Sequence, residues 1–87
     1  MVISPLPKRL KEARLAAKLS QKELGIAAGV DRFSASPRIN QYETGKHTPD
    51  FLTLKNLAKV LCVPTAFFYA EEDDLAQMIK AFTKKHS

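Results

Sequence analysis

The chain has 87 residues, 45% of them hydrophobic, a formal charge of +5 and a single cysteine, Cys62, which is enough for one small core. No apolar run approaches the ~18 to 20 residues of a membrane span, and one cysteine excludes an internal disulfide framework. The start of the chain, two prolines and then charge, lacks the basic-then-apolar layout of a secretory leader, so cytoplasmic residence is expected. Residues 1–55 carry ten Lys/Arg against five Asp/Glu, and residues 56–87 carry four of each. A basic lobe beside a neutral one is the footprint expected of a nucleic-acid binder, though many small basic domains bind nothing of the kind.

Ser4-Pro5 predicts an N-cap with proline at the first helical position, where its missing N–H costs nothing. The first helix should run from about Pro5 to Lys18, with Leu6, Leu10, Ala13 and Ala17 as its buried stripe and Lys8, Arg9, Lys11 and Lys18 around the rest. That narrow, partly alanine face requires a close neighbour. Ser20-Gln21-Lys22-Glu23 is a capping-box pattern, in which serine and glutamate each satisfy a backbone N–H of the other. In the second helix it starts, Leu24, Ala27 and Ala28 face inward, Gly29 terminates, and Val30 follows as a buried plug. Gly25 costs about 1 kcal/mol relative to alanine in mid-helix, which implies close backbone packing against the next helix.

Asp31 to Ser36 has loop character, and its one large apolar residue, Phe33, is expected to fold back onto the body. Either Ser34 or Ser36 caps a third helix that ends near Glu43 or Thr44 and is closed by Gly45. Ile39 and Tyr42 face the core, which leaves Ser36, Arg38, Asn40 and Gln41 pointing away from it or to its margins. Asp50 caps a fourth helix, Phe51 to Leu61, with Leu54, Leu57, Ala58 and Leu61 inward. Pro64 or Thr65 opens a short fifth helix whose Phe67, Phe68 and Tyr69 complete the core. The acidic run Glu71–Asp74 complements the positive end of a sixth helix, about Asp73 to Lys84, with a stripe of Leu75, Met78, Ile79 and Phe82. That stripe either covers the bundle or forms a two-fold dimer contact. No run alternates well enough for a strand, so the expected class is all-α: a compact bundle of five to six helices. Residues 1–70 would form its body and residues 71–87 an amphipathic helix packed on it or used for dimerisation.

In order along the chain, Leu19-Ser20-Gln21, Glu23-Leu24, Gly29-Val30, Ile39, Tyr42 to Lys46, Pro49 and the leucines of the fourth helix resemble the Cro/phage-repressor-like, or XRE, helix-turn-helix family. The likeness covers about Leu10 to Tyr69. It implies a lambda-repressor-like bundle whose third helix lies in the DNA major groove. By position, Gln21 resembles the glutamine that bonds a phosphate and braces the recognition helix, and Arg14 and Glu43 occupy the places of a structural ion pair. Gly25 falls on the small residue where helices 2 and 3 pack, and Lys46 on a basic residue near phosphate. Ser36, Pro37, Arg38 and Gln41 fall on outward positions that read bases or adjoin phosphate. Arginine can pair two N–H groups with guanine O6 and N7, and glutamine, or Asn40 in its place, can pair with adenine. The sequence departs from the family in two places. Gly29 to Glu43 spans fourteen positions, about four more than the usual family pattern, a longer link than the short turn of the motif. Arg32 and Ser34 in that longer loop are therefore further candidate contacts, and Pro37 replaces a hydrogen-bonding side chain.

His47 and His86 have no Cys or carboxylate at ligand spacing, so no metal is expected. Cys62, where the family often has glycine, reads as a small packed residue. No glycine-rich phosphate loop, cofactor motif or small-molecule site is evident, and the carboxylates at residues 71–74 lack a partner acid, so no enzyme is expected. The function expected is a sequence-specific transcriptional regulator, a repressor by operator occupancy, acting on double-stranded DNA as a homodimer. The alternative is a protein-interaction module, such as an antitoxin or adaptor, built on the same fold.

Overall fold

The computed structural model describes residues 4–86; the outer limits of the two expected units, at residues 1 and 87, lie outside them, as does the His86 side chain. Five α-helices and one 3₁₀ turn follow in order: α1 (Leu6–Ala16), α2 (Gln21–Ala27), α3 (Ala35–Glu43), α4 (Phe51–Leu61), η1 (Thr65–Tyr69) and α5 (Asp73–His86). The fold is an all-α bundle.

Each helix begins and ends for a local reason. The Ser4 hydroxyl accepts from Leu6 N–H at 3.2 Å, ahead of a first turn that contains Pro7. α1 stops two residues sooner than expected because Lys18 adopts the left-handed conformation, φ 59°, at the position glycine usually takes. The capping box of α2 is complete, with Glu23 N–H on Ser20 Oγ at 3.0 Å and Ser20 N–H on Glu23 Oε1 at 2.8 Å. The Ser20 backbone N–H first, and the Ser20 side chain second, hold the Glu23 carboxyl below the usual carboxylate range. Gly29, at φ 94°, ends α2. Asp50 Oδ1 accepts from Thr53 N–H at 2.8 Å to open α4. α4 closes on Cys62, which is left-handed at φ 57° and exposed rather than packed.

The core gathers Leu6, Leu10 and Ala13 of α1, Leu24 of α2, Ile39 and Tyr42 of α3, Leu54, Leu57, Ala58 and Leu61 of α4, Val63, and Phe67 and Phe68 of η1. The two phenylalanine rings meet edge to face, 5.8 Å apart. α2 and α3 form the most extensive helix pair. An added Cβ at Gly25 would lie 2.7 Å from the Ala35 Cβ and 2.9 Å from its Cα, so only glycine permits this approach.

Several side chains lie elsewhere than the periodicity predicts. Ala17 is exposed beyond the end of α1, Ala27 is exposed as the last residue of α2, and Val30, past Gly29, is half-buried. Tyr69 is exposed, as η1 fills its share of the core with the two phenylalanines. Phe33 does not fold back: it is 86% exposed, held out by a tight turn over residues 31–34. Arg9, expected on the surface, is 1% exposed. Its Nε donates to the Ala70 carbonyl at 2.8 Å and its Nη2 to the Glu71 carbonyl at 3.1 Å, while Nη1 pairs with Glu12 at 3.1 Å and Asp73 at 3.0 Å. Burial opposes the Arg9 charge, the two carboxylates outweigh it, and the guanidinium pKa rises. Arg9, helped by Lys8 at 3.4 Å from Asp73, thereby fastens the start of α5 to α1. α5 then packs through Ala76, fully buried, and the half-buried Ile79, leaving Leu75, Met78 and Phe82 exposed. The stripe predicted as one face is split, with Ala76 taking its place against η1.

Candidate nucleic-acid interface

The frame of the interface is an ion pair. Arg14 Nε donates to Glu43 Oε2 at 2.6 Å and Nη2 to Oε1 at 3.1 Å, the fork-to-carboxylate geometry that gives both strength and direction. Nη1 also donates to the Leu19 carbonyl at 3.0 Å, so one guanidinium holds α1, the link before α2 and the end of α3. Both side chains are nearly out of solvent, 11% and 4% exposed.

Onto this pair is built an amide network. Gln21 Nε2 donates to Glu43 Oε1 and to Asn40 Oδ1, each at 3.2 Å, and the Ser36 hydroxyl donates to Gln21 Oε1 at 3.5 Å. Gln21, Ser36, Asn40 and Glu43 are thus brought together across the α2–α3 seam, and Gln21 braces α3 along two of its turns. Periodicity placed Ser36 and Asn40 on the margin of α3 but offered no sign that they share one partner. Gln41 is half-buried and Arg38 exposed, each one turn from the other's neighbours on the outer side of α3. Lys46 is exposed beyond the helix, past Gly45 at φ 78°.

The start of α3 is settled by Ser34, which stands at its N-cap, with Pro37 at the third helical position. There a missing N–H is one of the unsatisfied donors of any helix start. The link before it is a turn: Ser34 N–H bonds the Asp31 carbonyl at 3.0 Å and its hydroxyl the Asp31 carboxylate at 3.3 Å. Ser34 is thereby occupied locally and half-buried, while Arg32 is exposed on the same turn.

Charge is distributed to match. Arg9 and Arg14 are buried in ion pairs and Lys8 makes an exposed one with Asp73, whereas Lys22, Arg32, Arg38 and Lys46 make none among the described residues, like Lys11, Lys18, Lys55 and Lys59 elsewhere on the surface. Lys22, beside Gln21 in the first turn of α2, belongs with these exposed cations; only its sequence adjacency to Gln21 could have marked it. Among the described residues no cluster of three or more His, Cys, Asp or Glu could hold a metal, and no helix is long and apolar enough to cross a membrane.

Two short helices locked by a glycine–alanine contact, the second tied to α1 by an arginine–glutamate pair and presenting Arg38 and amides outward, have the helix-turn-helix arrangement. The Helix-turn-helix family model matches residues 10–68, and the chain belongs to that family, of XRE type. It is 50% identical to the transcriptional regulator BswR, whose crystal structure it matches with a TM-score of 0.85 over 90% of this chain and 77% of that one. It is also 40% identical over 63 residues to the uncharacterized HTH-type transcriptional regulator RghRB of Bacillus subtilis (strain 168). That alignment covers 71% of this chain and 42% of the relative, so the chain spans less than half of that protein's length.

Proposed function

We propose that this protein is a sequence-specific DNA-binding transcriptional regulator, a repressor acting by operator occupancy, with α3 lying in the major groove. The carrying observation is the braced α2–α3 pair, held by the Arg14–Glu43 ion pair and the Gln21 bonds. Around it Lys22, Arg32, Arg38 and Lys46 make no ion pair among the described residues and are left to meet phosphate or base. Arg38 and Gln41 are the base readers, the first suited to guanine and the second to adenine. Lys46 and Arg32 meet the backbone, giving affinity and salt dependence without sequence information, while Gln21 and the hydroxyls of Ser34 and Ser36, whose protons are donated within the fold, stand at its margin. Asn40, which already accepts a bond from Gln21, orients that glutamine and has its amide N–H₂ left for the groove.

A domain of this size reads few base pairs, and a homodimer on a near-palindromic site supplies the rest. Residues 1–70 carry the reading surface in this scheme and the C-terminal helix the self-association. Selection from a random duplex pool followed by footprinting tests the reading. One site should be enriched, and Arg38→Ala and Gln41→Ala should each lose roughly tenfold or more on it, in keeping with ~1 to 3 kcal/mol per base contact. Failure to enrich any site, with both variants binding like the parent, would sink it. The exposed Leu75 and Met78 on α5 favour one other reading, a module of the antitoxin or adaptor kind that binds a protein partner. A stoichiometric complex with a protein partner, and DNA affinity indifferent to sequence, would decide for that alternative.

A further inference from the structure

We propose that Phe33 reads a base, laying its ring on the C5-methyl group of a thymine at the edge of the site; the inference rests on α3 being the DNA-contacting helix. Phe33 is the most exposed large apolar side chain among the described residues, at 86%. A solitary apolar group at a surface ordinarily needs no explanation, but three features set this one apart.

The ring is displayed on a built support. Asp31 accepts both the backbone N–H and the hydroxyl of Ser34, at 3.0 and 3.3 Å, so the turn that carries Phe33 is closed on either side of it. Its position is the second feature. Phe33 stands two residues ahead of Ala35, the first residue of α3, and one helical turn ahead of Pro37, itself exposed. Recognition helices bring the residues of their N-terminal end to base edges. The third is its neighbour: Arg32 is exposed and makes no ion pair among the described residues, a cation placed beside the ring for the adjoining phosphate. A phenyl group has neither donor nor acceptor. In the major groove the one base feature it can distinguish is the thymine methyl. The deoxyribose is the other apolar surface within reach, and it carries no sequence information.

The two contacts are separated by chemistry on the DNA. The full-length chain is titrated onto the selected site by fluorescence anisotropy, as wild type, Phe33→Ala and Phe33→Leu, and each thymine is replaced in turn by deoxyuridine, which removes the methyl alone. Phe33→Ala should weaken the selected site roughly tenfold and leave non-specific duplex unchanged, with Phe33→Leu between them. One deoxyuridine should weaken the wild type by about fourfold, the factor for one buried methylene, and leave Phe33→Ala unaffected. Such non-additivity marks a direct contact. Since Phe33 is 86% exposed, all three proteins should melt together, so that lost affinity is not lost fold. If every deoxyuridine acts equally on wild type and Phe33→Ala, or if Phe33→Ala weakens all duplexes alike, the thymine contact is refuted. Should Phe33→Ala bind as wild type while Arg38→Ala and Gln41→Ala lose the site, Phe33 is idle and the role of α3 stands. If no site is enriched, the role of α3 falls and this inference with it.

Discussion

Arg14 and Arg9 leave the same helix and fasten opposite ends of the bundle by different chemistry. Arg14 meets the carboxylate of Glu43 with both partners buried, at 2.6 and 3.1 Å, and Gln21 is bonded to the same carboxylate. Arg9 is itself buried, but it binds two backbone carbonyls, and its carboxylates are open to water, with Glu12 37% and Asp73 76% exposed. The α2–α3 end is therefore shielded from salt, whereas the α5 end is half screened. The tighter anchor lies at the end proposed to meet DNA, and the looser attachment lies where Leu75 and Met78 are exposed.

Breaking the first anchor should cost most. Arg14→Met leaves Glu43 buried and unpaired, which destabilises by about 3 to 5 kcal/mol, or a melting point lower by roughly 15 °C or more for a domain this small. Adding Glu43→Leu should recover much of the melting temperature but not all of the DNA binding, because Gln21 then loses its bond to Glu43 and keeps only those to Asn40 and Ser36. Thermal melts and anisotropy on the same three proteins check both halves. Arg9→Met should cost less, about 2 to 3 kcal/mol for the lost charged hydrogen bonds. Below its melting point it should keep its affinity for DNA, since α2 and α3 are untouched. Equal loss of DNA affinity in the two arginine variants would erase the proposed difference between the ends.

Gly25→Ala tests the packing of the recognition end without charge. Alanine gains about 1 kcal/mol in helix propensity, yet its Cβ would fall 2.7 Å from Ala35, and overpacking of this kind costs about 1 to 3 kcal/mol. A net loss is expected, with weaker DNA binding as α2 and α3 are pushed apart; a rise in melting temperature would show the seam to be loose. The smallest effect concerns acid. Arg9 first and Lys8 second hold the Asp73 carboxyl below its usual range. Its contribution is present above the unfolded value of ~3.9 and is lost as pH falls through the lower folded value. Asp73→Asn should accordingly melt slightly earlier than wild type at neutral pH and converge with it in strong acid. The difference at neutral pH should shrink in high salt.

Much of this architecture is legible residue by residue. Ser20 and Glu23 announce α2, Asp50 announces α4, and Gly29 and Gly45 mark helix ends, because each works through hydrogen bonds or backbone angles within a few residues of itself. Arg14 and Glu43 could be placed as a pair only through the ordered family residues around them, since they are 29 positions apart. The shared bonding of Gln21 to Ser36, Asn40 and Glu43 was out of reach, for it depends on the angle at which α3 crosses α2. Phe33 was misjudged for a related reason: an apolar residue in a loop is expected to find cover, but the Asp31–Ser34 turn holds it away from any.

What the sequence by itself determined, then, is the set of helices, the caps of α2 and α4 and the apolar faces of α1 and α4, all consequences of local bonding and of the 3.6-residue period. Tertiary structure alone decided which of the charged residues went inside. Arg9 and Lys11 flank the same apolar residue, Leu10, on α1. Arg9 is buried because the chain returns more than sixty residues later with the carbonyls of Ala70 and Glu71 aimed at its guanidinium. A buried charge must be met by such partners, and no period within α1 can say where they will arrive.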